Sequence, residues 1–389
     1  MKHTNKKSFI VLGLCSALST ATFAAQTPGS INTESGIDLT PLLNITAKND
    51  AATRDEELYT SLTPSLTAEL LDGANQYLGT TDLEIGVYSE DENDNFVDFN
   101  LGGEANIEFS ANSFLQTTID IEFGHEATLS AEVDGDLTRF ITPAVGGFYQ
   151  YNLSNNISRV RALFNVADKT YTNFEDEAEF LELTTAGLGV EYYYDQDAQT
   201  TYIAELTFEN SDYKKTNPTG DQDSLTSTAK VGVQFVASEL LSGEVRIGLA
   251  QKDFANSAKE DFSGFSWNAN VDWAPRSYST FAFTTGFVVN DASGVEDFIT
   301  ESTFGANWSH QWSSVLSSSA ALNHTLENYE GIDRVDNTTV LNLGGVYSFA
   351  TTQPKLDLTF GLELTHVDSE LNVLDSDDTL VNIGLDVML

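Results

Sequence analysis

The stretch Val381-Asn-Ile-Gly-Leu-Asp-Val-Met-Leu389 alternates apolar with small or polar side chains up to the last residue of the sequence. Successive side chains of a β-strand point to opposite faces, so this stretch predicts a strand with one apolar face and no tail behind it. The apolar face carries Val381, Ile383, Leu385, Val387 and Leu389. A terminal strand of this kind, behind an export signal, is typical of a bacterial outer-membrane β-barrel, because the last strand closes the sheet.

The export signal is predicted over residues 1–24. Three lysines lie within the first seven residues, an apolar run follows from Phe9 to Leu18, and Thr22-Phe-Ala24 has the small-x-small pattern of a cleavage site. The only cysteine, Cys15, falls inside this segment, so we expect a mature chain without thiol chemistry. No later stretch approaches the roughly 18 to 20 apolar residues of a membrane-spanning helix, and a membrane location therefore requires strands.

The chain is strongly acidic. It has 18 Lys and Arg against 59 Asp and Glu, and removal of the three lysines in the predicted signal leaves a net charge of about −44. Such a charge argues against nucleic acid as a partner and against attraction to anionic lipid surfaces. The acidic residues are spread along the chain, as expected for a salty habitat or for a preference for cationic ligands.

Apolar residues recur with period two from Leu39 onward, in segments of about ten residues bounded by turn or loop chemistry. The pattern predicts an all-β, transmembrane antiparallel barrel over 38–389, preceded by a short periplasmic segment over 25–37. We expect eighteen strands, or sixteen if 38–48 and 143–153 are not strands. The predicted strands are 38–48, 58–71, 76–89, 96–109, 114–124, 143–153, 159–171, 180–194, 201–209, 224–236, 243–253, 262–273, 279–289, 298–310, 315–326, 338–349, 355–366 and 379–389.

The connections alternate in length, which is a second indication of a barrel. Short turns such as Asp72–Asn75 and Ala274–Ser277 interleave with long acidic loops such as Gly124–Arg139 and Asn210–Asp223. Outer-membrane barrels place short turns in the periplasm and long loops outside. A water-soluble β-sandwich also alternates, but large aromatic residues near the strand ends favour interfacial girdles: Trp267, Trp273, Trp308, Trp312, Tyr347 and Phe349.

The C-terminal half resembles a known family. Asp261–Thr280 contains Trp273-Ala-Pro-Arg276, similar to the W-x-P-R hairpin of the putative β-barrel porin 2 family. Trp308-Ser-His-Gln-Trp312 and Leu326-Glu-Asn-Tyr-Glu-Gly331 continue the resemblance. The chain departs from the pattern at Leu389, where barrels usually end in an aromatic residue, and over Glu363–Ser369, which lacks a basic residue.

The resemblance implies an outer-membrane barrel associated with exopolysaccharide, capsule or biofilm-matrix loci. A role in polysaccharide export or its outer-membrane assembly is therefore expected, with outer-membrane lipid, lipopolysaccharide, the polysaccharide and other export components as partners. A general cation-selective diffusion porin and a structural or adhesive barrel are the two alternatives.

Seven acidic residues alternate with apolar ones in three consecutive predicted strands: Asp82, Glu84, Asp98, Glu104, Glu108, Asp120 and Glu122. In a barrel with an apolar outside they are expected to line the lumen, where rings of one charge set ion preference. Lumen positions have to be polar in any case, so the acidity of these strands also agrees with a wall that has no special role.

Catalytic and metal-binding patterns are weak. None of His125, His310, His324 and His366 lies in a Gly-x-Ser-x-Gly or His-Glu-x-x-His context. Asp91, Asn93 and Asn95 have the oxygen spacing that opens a calcium loop, but the glycine and the bidentate glutamate of such a loop are missing. We therefore expect no enzymatic activity, no cofactor and no specific metal site.

Overall fold

The computed structural model describes residues 37–50, 57–88, 95–126, 137–153, 157–173, 178–216, 220–292, 296–349, 355–371 and 374–388. The predicted signal peptide and the periplasmic segment before residue 37 lie outside this part of the chain. Within it, the secondary structure is β apart from turns and a short 3-10 helix at Glu179–Leu181. No helix in the described residues is long and apolar enough to cross a membrane.

The described residues form eighteen strands, which confirms the higher of the two strand counts. Their bounds are β1 Ile37–Asp50, β2 Glu57–Asp72, β3 Asn75–Tyr88, β4 Phe96–Ser110, β5 Ser113–Glu126, β6 Thr138–Asn152, β7 Ser158–Tyr171, β8 Leu183–Asp195, β9 Thr200–Tyr213, β10 Ser224–Ser238, β11 Leu241–Phe254, β12 Phe262–Arg276, β13 Ser279–Asp291, β14 Phe298–Gln311, β15 Leu316–Tyr329, β16 Arg334–Phe349, β17 Lys355–Ser369 and β18 Ser376–Met388.

The sheet is closed. Each strand pairs antiparallel with its neighbours in the chain, and β1 pairs both with β2 and with β18, so that Leu43 lies opposite Val387. Closure leaves no strand edge exposed, and it satisfies backbone hydrogen bonds that lipid could not satisfy. The terminal strand therefore has the position that its alternation predicts.

Strand β6 begins five residues earlier than predicted. The predicted strand, 143–153, starts at Pro143, which lacks the backbone N–H of a ladder hydrogen bond. In the structure the strand runs from Thr138 through this proline, and only its pairing with β7 is interrupted there, between Ile141 and Ala144. The buried and accessible side chains of Thr138–Thr142 alternate as in the rest of the strand.

The outer surface is apolar, as the alternation predicts. Along β8 the side chains alternate between exposed and buried, and Leu188 on the exposed face is 69 % accessible. Ile119 of β5 and Ile383 of β18 are 57 % and 52 % accessible. Large apolar side chains left exposed around a closed sheet are the lipid-facing band of a membrane barrel.

Aromatic side chains cluster at the end of the barrel that carries the short turns. His310 contacts the rings of Trp312 at 4.1 Å, Tyr278 at 5.4 Å and Trp308 at 5.6 Å between centroids. Both chain ends of the sheet lie at this end, since β1 begins and β18 ends there. By the usual placement of short turns this is the periplasmic end, and the long connections are extracellular.

The facing of the strands leads to a labelling prediction. Cysteine at Ile119 or Ile121 should react poorly with a water-soluble thiol reagent, because these side chains face lipid, whereas cysteine at Asp120 or Glu122 should react well. The predicted mature chain has no cysteine of its own, so the unsubstituted protein provides the background. Equal labelling of all four variants in intact membranes would contradict the strand register.

Candidate functional site

An ion pair between two strands that are not neighbours identifies the inner face of the sheet. Arg246 of β11 lies 2.5 Å from Glu191 of β8, measured from Nη1 to Oε1, although β9 and β10 stand between the two strands. Side chains on strands this far apart meet only on the concave side of a closed sheet. Arg246 and Glu191 therefore point into the lumen.

Strand register extends this assignment to the candidate carboxylates. Directly paired residues of antiparallel strands share a face. Glu191 pairs with Arg161, and Arg161 pairs with Gln150. Gln150 pairs with Phe114, which pairs with Glu108. Because alternate residues share a face and β3 pairs in register with β4, the structure places all seven on the lumen face: Asp82, Glu84, Asp98, Glu104, Glu108, Asp120 and Glu122. Their role in ion selection stays a prediction.

A buried cluster around Arg246 fills one side of the lumen. Glu191 and Glu205 lie directly opposite each other on β8 and β9, which places like charges side by side. Arg246 is 7 % accessible and contacts both carboxylates, and its Nε lies 2.6 Å from Glu244. The Tyr193 hydroxyl donates a 2.8 Å hydrogen bond to Glu191. Arg246 thus pairs with three carboxylates, and Arg161 adds a longer contact of 3.9 Å to Glu191.

Two further arginines continue this packed wall toward β7. The Arg161 guanidinium lies 4.4 Å from the Phe148 ring centroid and 4.8 Å from that of Tyr193. Arg159 lies 4.4 Å from the same tyrosine ring and 2.8 Å from Asp195. Each arginine thus combines aromatic stacking with a hydrogen-bonded partner, and these contacts hold its charge against the barrel wall.

A neighbouring wall, formed by β3, β4 and β5, carries carboxylates whose partners are mostly neutral. Asn100 donates from Nδ2 to Asp120 at 3.2 Å. Glu104 accepts hydrogen bonds from Gln116 at 2.8 Å and from Asn106 at 2.7 Å. The strands β3, β4 and β5 contain no Lys or Arg. Amide donors orient these carboxylates but leave their negative charge in place.

Lys169 of β7 is the cation that borders this acidic wall. It forms an ion pair with Glu126, and its ammonium lies 4.3 Å from the Phe140 ring centroid and 5.1 Å from that of Tyr171. Glu122 interacts electrostatically with Lys169 but also with three other carboxylates. The single lysine, already paired, leaves the wall strongly negative.

The separation of basic from acidic side chains around the barrel was not predicted from the sequence, where only the carboxylates were singled out. Ten of the eighteen Lys and Arg residues lie between Arg139 and Lys259, the part of the chain that forms β6 to β11. Acidic residues are spread over the whole chain, so the grouping of the basic ones was the available signal. The lumen therefore has one wall of paired cations and a neighbouring wall, β3 to β5, in which most carboxylates have no cationic partner.

Extracellular loops fold against the mouth on the side of β10 to β14. Lys252 is nearly inaccessible and lies 2.7 Å from Asp291, which also accepts a 3.1 Å hydrogen bond from Ser224. Lys259 donates to the backbone carbonyl of Asp297 at 3.1 Å. Burial lowers the pKa of Lys259, while Asp291, Asp297 and Glu296 act to raise it. These contacts tie the β11–β12 and β13–β14 loops together and join the extracellular ends of β10, β11 and β13.

The histidines make local polar contacts. His125 lies 2.8 Å from Asp98 and His324 lies 3.0 Å from Thr339. Among the residues that the structure describes, no group of three or more His, Cys, Asp or Glu side chains is arranged to hold a metal ion. Asp91 and Asn93, considered above for calcium, lie outside those residues.

An antiparallel sheet of eighteen strands that closes on itself, apolar outside and charged inside, defines an outer-membrane β-barrel of the porin type. The sequence profile of the family described as putative beta-barrel porin 2 matches residues 43–389. The chain belongs to this family, as its resemblance predicted. A search of curated protein sequences found no significant match to the chain.

Solved porins share the fold. OccK2 (OpdF) of Pseudomonas aeruginosa is 11% identical with a TM-score of 0.52, over 91% of this chain and 98% of that chain. Its complex with glucuronate superimposes over the same shares, also at 11% identity, with a TM-score of 0.51. A BenF-like porin from Pseudomonas fluorescens Pf-5 is 11% identical with a TM-score of 0.50, over 91% of this chain and 99% of that chain. At this identity the likeness concerns the fold alone.

Proposed function

We propose that this protein is a general diffusion porin that lets small hydrophilic solutes cross the outer membrane and favours cations over anions. The observation that carries the proposal is the acidic wall of β3, β4 and β5, which faces the lumen and contains no Lys or Arg. Charges that line a water-filled pore set the local concentration of mobile ions.

The distribution of burial supports a water path along the acidic wall. On the β8 and β11 side, Glu191, Tyr193 and Arg246 are buried by one another. On the acidic side, Glu108 is exposed, and Thr118, which pairs with Glu104 and therefore faces the lumen, is exposed as well. A hydrated ion that follows the accessible side meets carboxylates, whereas the fixed cations are screened by their own partners.

Polysaccharide export, expected from the family resemblance, is not supported by the comparisons, which agree better with a diffusion porin. The acidic wall also argues against passage of an acidic polymer, because like charges repel along the full height of the lumen. No contact in the described residues favours an adhesive role.

Deletion of the gene separates these functions. We expect slower uptake of small hydrophilic cations, with an unaltered amount of extracellular polysaccharide under conditions in which the parent strain makes it. Re-expression of the full chain should restore uptake. Loss of the polysaccharide with normal solute uptake would overturn the proposal in favour of export, and an unchanged phenotype on both measurements would favour a structural barrel.

A further inference from the structure

The ladder between β12 and β13 stops halfway up the barrel. Pairing runs from Trp273 opposite Phe281 to Asn268 opposite Gly286. Beyond this point Phe262–Trp267 pairs with β11 alone. The facing segment, Phe287–Asp291, pairs with β14 alone. We call these two facing segments, Phe262–Trp267 and Phe287–Asp291, the seam.

The seam differs from the other internal interruptions between described strands. The ladder between β2 and β3 skips two residues at Pro64, and the ladder between β6 and β7 skips two at Pro143. Proline explains both, since it lacks the backbone N–H. The seam spans six residues of β12 and contains no proline. Because its turn is periplasmic, the unpaired part lies in the extracellular half of the wall, at the level of the outer leaflet.

Aromatic rings pass through the seam from the outside to the inside. Phe265 is 53 % accessible on the lipid face, and its ring stacks on Trp267 at 5.7 Å. Trp267 stacks on Phe287 at 5.1 Å. The Phe287 ring lies 5.8 Å from Phe262, which lies 5.6 Å from Phe298. The rings form one continuous chain of contacts.

The inner end of this chain faces the lumen. Phe262 pairs with Lys252, which lies six residues from the lumen-facing arginine of β11 and so shares its face. Asn268 is on the same face as Phe262, and its partner Gly286 is two residues before Val288. Val288 is 38 % accessible. Apolar groups therefore collect on the lumen side of the seam.

Side chains close the wall at the seam where backbone hydrogen bonds close it elsewhere. A weak contact of 3.4 Å from the Ser266 hydroxyl to the Phe287 carbonyl spans it. Aromatic pairs contribute about 0.5–1.5 kcal/mol each beyond their burial, and side chains change rotamer far faster than a sheet exchanges its ladder. Opening of the seam therefore requires side chains to move but no ladder hydrogen bonds between β12 and β13 to break.

We propose that the seam is a lateral portal, through which small apolar or aromatic solutes leave the lumen for the outer leaflet. The rings supply an apolar route between the two, and the solute replaces ring contacts with contacts of its own. This activity goes beyond diffusion of hydrophilic solutes along the acidic wall, and it uses the opposite side of the lumen.

A disulfide across the seam tests the portal. Extrapolated register places Ser266 opposite Val288, so S266C/V288C should lock the seam when oxidised. In intact cells, uptake of the apolar dye N-phenyl-1-naphthylamine should fall to the level of the deletion strain and recover with dithiothreitol. The control N270C/T284C locks a pair that is already in the ladder, so its dye uptake should equal that of the native protein both when oxidised and when reduced. Dye uptake that is the same in the locked and reduced seam would overturn the proposal.

Removal of the rings provides a second test that needs no disulfide. W267A/F287A should raise dye uptake several-fold. The matched control is W273A/F281A, because this pair stacks at the same 5.1 Å but lies over an intact ladder. Equal uptake by both variants would overturn the portal. Potassium chloride conductance of the same proteins tests the diffusion porin separately, since neither pair touches the acidic wall.

Discussion

Replacement of Arg246 by methionine is expected to destabilise the folded barrel by about 3–5 kcal/mol, because removal of one partner leaves buried charges uncompensated. Glu191 and Glu205 would then face each other without the guanidinium that joins them, and only the longer 3.9 Å contact from Arg161 to Glu191 would remain. Arg246 and Glu191 are almost fully buried in this cluster. The measurement is the temperature at which the SDS-resistant folded band converts to the unfolded band, and we expect a clear decrease.

Two comparisons make this result specific to the cluster. Arg276→Met removes an exposed arginine at the periplasmic end of β12 and should leave the transition temperature nearly unchanged, since surface substitutions rarely exceed about 0.5 kcal/mol. In an E191Q/E205Q background, Arg246→Met should cost much less than in the native chain. An equal loss in both backgrounds would mean that the arginine acts by packing alone.

Neutralising Glu104, Glu108, Asp120 and Glu122 together, by Gln and Asn, is expected to remove most of the cation preference of the reconstituted pore. One charge contributes about 0.6 kcal/mol at about 7 Å in water, close to thermal energy, so four charges alter the ratio of cation to anion permeability several-fold. The measurement is the reversal potential across a planar bilayer in a potassium chloride gradient.

The control for this variant carries the same change of net charge outside the strands. Four exposed carboxylates in turns and loops serve for it: Asp197, Glu239, Glu260 and Asp333. Their neutralisation should shift the reversal potential much less, because salt screens charges beyond about 10 Å. An equal shift in both variants would assign selectivity to overall charge, and an absence of conductance in the native protein would refute the open pore.

Much of the architecture follows from local alternation in the sequence. Ile119 and Asp120 face opposite sides because neighbouring residues of a strand always do, and the same period places Val381 and Ile383 on the outside. The start of β6 was predicted wrongly, at residue 143, because a proline that interrupts one ladder does not have to begin or end the strand. The seven lumen carboxylates were placed by the same alternation, although their role stays a prediction.

The sequence by itself thus determined the number of strands, the face of the sheet that each side chain takes, and the family. The export signal stays an expectation. Only the tertiary structure decided which charges are compensated and where the wall is weak. Arg246 reaches Glu191 because closure curves the sheet until β8 and β11 face each other, and no spacing along the chain encodes that distance. The rings of Phe262 and Phe287 meet because two strands diverge, and divergence depends on the twist of the whole barrel rather than on any single strand.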